Sequence, residues 1–600
     1  MRSRTSRRIP AVLATSLAAS LALTGLSLLG PPAQARSTPD EAPALAPAAA
    51  PTRTAPATPR RGARPPRNDA TRKDLRLTQV YVQTTVDSDR DGKPDVVRVV
   101  VARPRPKLVN GRRLATVANP SPYFACCGDA PNHDVDVPLR DARAHPDDAD
   151  GFLRGFRREA LDWARRGYAY ARVASLGSSR STGCPTIGDD QETAGMVAFV
   201  DWLGGRTTAR TPAGQPATAG GWSTGVTGMI GASYDGTLPN MAAATGVPGL
   251  KAIVPISAIS SWYGYYRQSG LVVAPGGYQG EDTDVLAKFN YTRPNQTICR
   301  PVIAGLERDQ DRVTGDYSDF WADRNLVPKA HKVRAGVLIA HGFGDTNVKP
   351  DQAARWYAAL RKAGVPVKIW WDQGDHGTFV PDRLVTRWFD HFLYGVRNGV
   401  AGGKAAAVTD ADSRTRWYRT WPRPGSKLRT WTLRSGSLAP GGPGTAVRRT
   451  FTDDASFSAA QICRTPNRRH ALSYRSARLK RGLDLSGSPR ARLRVSFDAP
   501  AANLTAALCV VKPNGKGRLL TQGFADPRNV GSIRAQTPLA PGRFYSVPVD
   551  LQPVDRALEP GSRVVLVVMS SDHDFTLRPP AGTRVTLDPR QSRVRLPIVR

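Results

Sequence analysis

Between Leu114 and Trp371, short apolar runs alternate with stretches of helical periodicity, and this rhythm restricts the fold more than any other feature of the chain. Leu114 to Ala118 reads as a strand, Phe152 to Ala164 as an amphipathic helix stopped near Gly167, and Tyr168 to Leu176 as a second strand. A helix around Glu192 to Leu203 and strands at Val226 to Ile230 and Ala252 to Ile256 follow. The pattern resumes with the strand Ala335 to Ala340, a helix carrying Ala353, Trp356, Tyr357 and Leu360 at helical spacing, and the strand Val367 to Trp371. Strands alternating with helix-length segments predict an α/β fold with a mostly parallel sheet covered by helices. Residues 259–328, rich in Tyr, Trp, Gly and Pro, fit the rhythm poorly and read as a cap inserted between two parts of the sheet domain, 71–258 and 329–404. From 405 to 600 short alternating runs such as Leu493, Val495 and Phe497 sit between turn residues, which predicts an all-β sandwich or jelly roll.

The N-terminus lies outside this pattern. Residues 1–35 combine Arg2, Arg4, Arg7 and Arg8, an apolar stretch from Ala11 to Leu29, and Ala33-Gln34-Ala35, the layout of a secretory signal peptide. Pro31-Pro32 and the polar residues within the stretch weigh against a retained anchor. No later segment is apolar enough to span a bilayer, so the mature chain is expected to be secreted, with no membrane span. Ser6-Arg7-Arg8 hints at a twin-arginine signal that Pro10 interrupts, and the export route stays open. Residues 36–70, mostly Pro, Ala, Thr and Arg, cannot bury enough surface to offset the entropy of ordering and read as a disordered linker.

An exported chain with an even number of cysteines points to disulfides. Of the six, Cys463 and Cys509 pair most simply with each other; Cys126, Cys127, Cys184 and Cys299 bridge among themselves, the adjacent Cys126 and Cys127 reaching different partners. No pattern of Cys and His completes a zinc set. The net charge of +35 invites a polyanion, yet the arginines are spread along the chain and no nucleic-acid module is visible, so no nucleic-acid partner is expected. Attraction to anionic polymers of a cell wall stays open. Asp87, Asp89, Asp91 and Asp95, around Gly92, resemble the first half of a calcium loop, but Arg98 stands where the closing glutamate belongs, and a polar hairpin turn is the favoured reading. Nothing calls for a cofactor.

The chemistry concentrates around Gly231-Ala232-Ser233-Tyr234-Asp235-Gly236, where a serine sits at a strand-to-helix corner with small neighbours. A serine hydroxyl is a poor nucleophile, and such a corner lifts Oγ above the sheet edge where a base can reach it. An α/β-hydrolase sheet supplies Ser, then acid, then His, from successive strand ends. Asp345 follows the strand ending at Ala340, and His376 follows the strand ending at Trp371. His376 is therefore the expected base and Asp345 its orienting acid, with Asp372 and Asp375 as fallback acids too near His376 in sequence to face Nδ1 easily. Of the eight histidines, His341 is expected to pack or bond to backbone, and His391 to be structural. The backbone N–H of Tyr234 and the hydroxyl of Tyr123, in the rigid turn Asn119-Pro120-Ser121-Pro122-Tyr123, are candidates for the oxyanion hole.

With these residues in place, the chain resembles the serine peptidase family that contains Xaa-Pro dipeptidyl-peptidases and cocaine esterase. The matching stretches are the serine corner, the turn at Tyr123, Asp201-Trp202-Leu203-Gly204-Gly205-Arg206, and the run Ile259 to Arg267 continuing through Ala274-Pro275-Gly276-Gly277 to Gly280-Glu281-Asp282. That last run is similar to the dipeptidyl-peptidase branch. The resemblance implies an α/β-hydrolase domain with an inserted cap and a C-terminal jelly roll, acting on proline-containing peptides by releasing an N-terminal Xaa-Pro dipeptide. It implies that Trp262 and Tyr123, with Val348 beside them, line the proline pocket, and that Glu281, with Tyr265 and Asn347, holds the free α-amino group. The helical N-terminal domain of the lactic-acid-bacterial enzymes is missing here, which leaves their dimer mode and the oligomeric state open. Two rival readings are an ester or β-lactam side-chain acyl hydrolase using the same triad, and a non-catalytic wall- or glycan-binding protein.

Overall fold

The computed structural model describes residues 64–125, 148–275, 281–295, 297–466, 469–577 and 582–599. The expected signal peptide, most of the linker, Cys126, Cys127, Gly276, Gly277 and Gly280 lie outside the described residues.

The central element is a sheet of eleven strands. They are β1 (Leu75–Gln83), β2 (Val96–Pro104), β3 (Leu114–Ser121), β4 (Ala169–Ala174), β5 (Ala209–Arg210), β6 (Ser223–Ala232), β7 (Leu250–Ile256), β8 (Gly336–Gly342), β9 (Val367–Asp372), β10 (Ala406–Thr409) and β11 (Thr415–Tyr418). The spatial order is β11-β10-β9-β8-β7-β6-β3-β4-β2-β1-β5. From β4 to β10 across the middle all neighbours run parallel, while the flanking pairs are antiparallel. Every residue of β4 and β8 is buried, as expected of strands covered on both faces. One cover contains Phe199, Leu238, Met241, Trp356 and Leu360; the other contains Phe156, Trp163, Trp388, Phe389 and Leu393.

Because β6, β7, β8 and β9 are parallel neighbours, the segments leaving their C-terminal ends gather along one sheet edge, where α/β folds place their sites. Residues 259–328 roof this edge with the short helices Trp262–Tyr266, Thr283–Asn290, Arg300–Asp309 and Asp319–Asp323. Buried charge pins the roof: Arg267 donates to Asp282 at 2.7 Å with both side chains almost fully buried, and Arg312 pairs with Asp284.

Cys184 and Cys299 bond to each other, so the expected separate bridges from them to Cys126 and Cys127 are corrected. The cap brings the start of Arg300–Asp309 against the loop after β4, with the two Cα atoms 5.5 Å apart, a separation that a disulfide spans. Cys463 and Cys509 form the other pair, as expected.

The central sheet also runs on to Tyr418, past the change of texture at 405, because Ala406 to Val408 are buried as a parallel neighbour of β9. From Lys427 the chain forms antiparallel sheets of nine and four strands, with Leu485, Val495, Leu504, Leu566 and Val594 in the shared core. One short helix, Ala459–Arg464, packs on the smaller sheet. This β region docks on the cap through Leu271 and Val273 against Phe524 and Phe575, and on the central sheet through Trp421, whose Nε1 donates to Asp555 at 3.1 Å.

Candidate active site

β6 ends at Ala232 and a helix begins at Tyr234, leaving Ser233 alone between them with φ 61° and ψ −127°. A residue with a Cβ rarely adopts positive φ, and such strain persists only where surroundings enforce it. Here Ser233 N–H donates to Ile256 O at 2.8 Å and its carbonyl accepts from Gly236 and Thr237 N–H. A Cβ on Gly231 would lie 2.3 Å from Asp235 O, and one on Gly236 would lie 2.7 Å from Gly231 O. The two glycines thus face each other across the turn, which explains why the second stands three residues after the serine.

Asp345 follows β8 and is 2% exposed. Its Oδ2 lies 2.9 Å from His376 Nδ1 and 3.3 Å from His341 Nε2, while Oδ1 accepts from Asn347 N–H. Burial alone would raise the Asp345 pKa, but the hydrogen bonds and charges of His341 and His376 prevail and bring it down to about 2. Burial likewise pulls His376 down, and the Asp345 hydrogen bond and charge overturn that, raising it above the ordinary value. Gly377 N–H donates to Ser257 Oγ at 3.1 Å, which ties the His376 loop to the residue after Ile256, the partner of Ser233. Ser233 Oγ makes no hydrogen bond to His376 here, and such contacts are often open before substrate binds. The fallback acids are engaged in their own loop: Asp375 accepts from the N–H of His376 and Asp372 from Gly374 N–H and Thr378 Oγ1. His341 bonds to backbone at Val348 O, 2.7 Å away, as expected, and also reaches Asp345. His391 bonds to Val396 O.

Tyr234 opens the helix after the corner, so its N–H is one of the donors a helix leaves unpaired in its first turn. The Tyr234 hydroxyl is fixed elsewhere, on Glu192 at 2.7 and 2.8 Å. Tyr123 stacks edge-on against Tyr234 at 6.0 Å and Phe289 at 6.4 Å. Among the described residues its hydroxyl has no hydrogen-bond partner, and burial holds its pKa well above the usual tyrosine value.

Beside these donors stands an aromatic wall. Trp262 is fully buried, with Tyr234, Tyr265 and Tyr266 around it at 5.0 to 6.2 Å between ring centres. Glu281 is 7% exposed; the hydroxyl of Tyr266 donates to it at 3.0 Å and that of Tyr265 lies 3.4 Å away. Tyr265 also donates to Asn347 Oδ1 at 2.7 Å, connecting this carboxyl to the Asp345 loop. Burial pushes the Glu281 pKa up to about 8 against the hydrogen bonds of the two tyrosines. Val348 is buried, and its carbonyl is taken by His341.

Sequence reasoning missed four members of this assembly. Tyr266 lay in the quoted run, but only the fold tells which of two adjacent tyrosines approaches Glu281 more closely. Glu192, on the helix Asp190–Leu203, accepts from Ser175, Tyr234 and Gly188 and so buttresses the corner. Lys349 is 3% exposed, donates to Tyr265 O at 3.1 Å, and has its pKa lowered by burial to about 8. For His341 the sequence indicates packing or a backbone bond, and the contact with Asp345 is the part it does not show. A buried acid inside a helix pattern was the one available signal for Glu192.

Asp87, Asp89 and Asp95 gather with oxygens within 4.8 Å of one another, without Asp91. Their acceptors are engaged by the chain itself: Arg293 pairs with Asp89, Ser88 donates twice to Asp95, and Asp87 accepts from Asp91 and Gly92 N–H. This is the bonding of a polar turn.

The sequence model of the X-Pro dipeptidyl-peptidase (S15) family matches residues 91–378, and that of the X-Pro dipeptidyl-peptidase C-terminal non-catalytic domain matches residues 398–596. A Bacillus anthracis protein provisionally named an Xaa-Pro dipeptidyl-peptidase is 41% identical, covering 87% of this chain and 88% of its own. The Xaa-Pro dipeptidyl-peptidase of Lacticaseibacillus casei is 29% identical, covering 86% and 76%. Among solved structures, an aminopeptidase from a marine sediment Thaumarchaeota archaeon superposes with a TM-score of 0.63 at 15% identity over 89% of this chain and 98% of that one. An α-amino acid ester hydrolase gives 0.61 at 16% identity over 91% and 99%. At such identities these two show the shared fold, an α/β hydrolase with an all-β C-terminal region. With both parts of its length matched by family sequence models and a relative at 41% identity spanning most of both chains, the chain belongs to the X-Pro dipeptidyl-peptidase (S15) family of serine peptidases.

Proposed function

We propose that this enzyme is a secreted exopeptidase that releases Xaa-Pro dipeptides from peptide N-termini through an acyl-enzyme on Ser233. His376 takes the Ser233 proton as Oγ attacks the carbonyl of the proline, and Asp345 holds the imidazole by Nδ1 and stabilises its cationic form. The N–H of Tyr234 and the hydroxyl of Tyr123 receive the oxyanion. His376 then gives the proton to the leaving amine, and water completes the cycle by the same route. Trp262, Tyr123 and Val348 offer flat apolar surface to a pyrrolidine ring. Glu281, with Tyr265 and Asn347, takes the α-ammonium, which sets where the peptide chain must begin.

The observation that carries this reading is the Glu281 carboxyl, buried under two tyrosine hydroxyls on the element that also supplies the aromatic wall. A buried acid that makes no ion pair among the described residues is costly to ionise unless a ligand supplies the countercharge. An Xaa-Pro anilide should be hydrolysed well, its N-acylated counterpart at least about 100-fold less efficiently, given the worth of a buried charge pair, and Ser233→Ala should abolish turnover with the fold intact. Equal rates on the two anilides would remove the exopeptidase assignment. Faster turnover of aryl esters or β-lactam side chains would favour the acyl-hydrolase reading.

Export is supported by the signal-like N-terminus and by Cys184–Cys299 and Cys463–Cys509, since such bridges persist in oxidising surroundings. Fractionation of cells producing the full chain tests it, and activity confined to the cytoplasm would refute it.

A further inference from the structure

The β region matched by the non-catalytic domain carries an unusual arrangement on its larger sheet. Arg490 and Arg492 of the strand Arg490–Phe497 lie directly opposite Arg595 and Arg593 of Arg593–Val599. The intervening Ala491 and Val594 are buried in the core, so the four arginines share the outer face. On either side, Thr430 faces Arg595, Pro548 faces Arg492, and Asp550 faces Arg490. These residues line one groove of about 550 Å³. Like charges directly opposite on neighbouring strands destabilise a sheet. Yet among the described residues a single carboxylate answers four guanidiniums: Asp550 Oδ1, 3.6 Å from Arg490 Nε, with both side chains more than half exposed. Among the described residues, Arg492, Arg593 and Arg595 have no ion pair or side-chain hydrogen bond.

We infer that this face is a binding site for a linear, base-free phosphodiester polymer, such as a polyol phosphate chain. Cross-strand partners sit about 5 Å apart at Cβ, close enough for two guanidinium forks to clamp one phosphate, as guanidinium geometry favours. Successive outward positions along a strand recur about every 7 Å, so the pair Arg490 and Arg595 and the pair Arg492 and Arg593 would hold consecutive phosphates of a flexible chain. Single-stranded nucleic acid shares the charge pattern, but its bases need aromatic platforms. The groove offers Thr430, Ala491 and Pro548 instead. The site is distinct from the peptidase residues and does not rest on their assignment.

The test is titration of the full chain with end-labelled poly(glycerol phosphate), followed by fluorescence anisotropy over a range of sodium chloride concentrations. The variant R490Q/R492Q/R593Q/R595Q should bind at least about tenfold more weakly, with the slope of log affinity against log salt flattened by about 1.4, since two phosphates lose their clamps and each neutralised phosphate on a flexible strand contributes about 0.7. R113Q/R334Q/R383Q/R397Q, which removes equal charge from exposed positions elsewhere, should stay within about twofold. Asp550→Asn should tighten binding, a gain that misfolding cannot produce. Equal losses in the two quadruple variants, no gain in Asp550→Asn, or tighter binding of polyuridylate of matched phosphate number would overturn the proposal. Hydrolysis of an Xaa-Pro anilide should be the same in all variants.

Discussion

Glu281 illustrates how burial sets the chemistry of a single side chain. Its carboxyl, raised to about 8, is largely protonated in the free enzyme at neutral pH, with Tyr265, Tyr266, Asp282 and Lys349 around it. A peptide α-ammonium, with an ordinary pKa near 7.7 to 8.0, binds it as an ion pair only after the carboxyl loses its proton. Substrate binding should therefore release about one proton between pH 5.5 and 7, and KM should fall about tenfold per pH unit on approaching 8. Glu281→Gln should raise KM and flatten this dependence, leaving in kcat/KM the limb from His376, whose pKa also lies above its ordinary value. The sign for stability is opposite to that of a salt-bridged acid. The folded state holds the proton more tightly than the unfolded chain, so stability falls as pH rises from the ordinary 4.5 through about 8. Thermal unfolding of Glu281→Gln should thus gain on the wild type as pH rises, and a constant offset between pH 5.5 and 8.5 would contradict the assignment of that proton. The residue was legible from a resemblance in its run. Its protonation was not, because that depends on burial, which prevails over the hydrogen bonds of Tyr265 and Tyr266 and the charge of Lys349 only once the fold has brought these segments together.

Among the elements, the turn joining β6 to its helix converts packing into reactivity. Gly236 has no φ that demands glycine, so its requirement is steric: a methyl there would meet Gly231 O at 2.7 Å, Ala258 Cβ at 3.1 Å and Ile256 N at 3.1 Å. Two of these are backbone atoms in the strands that hold Ser233, so the strain cannot be absorbed by a side chain. Gly236→Ala should cost about 1–3 kcal/mol and lower kcat at least about tenfold. Gly402→Ala, whose methyl would meet only Gly399 O at 3.8 Å, should be near neutral. Chemical denaturation with single-turnover kinetics checks both, and an unaltered kcat in Gly236→Ala would show that the corner tolerates displacement. Strands β3, β4, β6, β7, β8 and β9 were legible because buried parallel strands are nearly unbroken apolar runs, and the triad candidates followed from their ends. The cap was legible only as an interruption. Its helices span as few as five residues and are held by Arg267, Asp282 and Arg312, contacts that leave no periodicity. The strands β10 and β11 were missed for a related reason, since four residues are too short to separate a last sheet strand from a first sandwich strand.

At the scale of the whole molecule, the two disulfides among the described residues act on different parts. Cys184–Cys299 closes 115 residues and fastens the cap to the loop before Asp190–Leu203, the helix whose Glu192 supports Tyr234. Cys463–Cys509 closes 46 residues within the β region and secures the short helix Ala459–Arg464 on its sheet. Loop-closure entropy assigns each about 3–5 kcal/mol, the longer loop only slightly more, so stability alone distinguishes them poorly. Function separates them. The cap carries Trp262, Tyr265 and Glu281, whereas Ser233, Asp345 and His376 stand on the sheet. Loosening the first bridge should therefore displace the pocket more than the reacting groups. The double variant C184A/C299A should raise KM for an Xaa-Pro anilide about tenfold or more while kcat changes by less than about threefold, because binding made equally in ground and transition states appears in KM. C463A/C509A should lower the unfolding temperature without moving either constant. Steady-state kinetics below the lower unfolding temperature decides the matter. A matching KM effect from both pairs would mean that the β region positions the pocket as strongly as the cap does, through the contact of Phe524 and Phe575 with Leu271 and Val273.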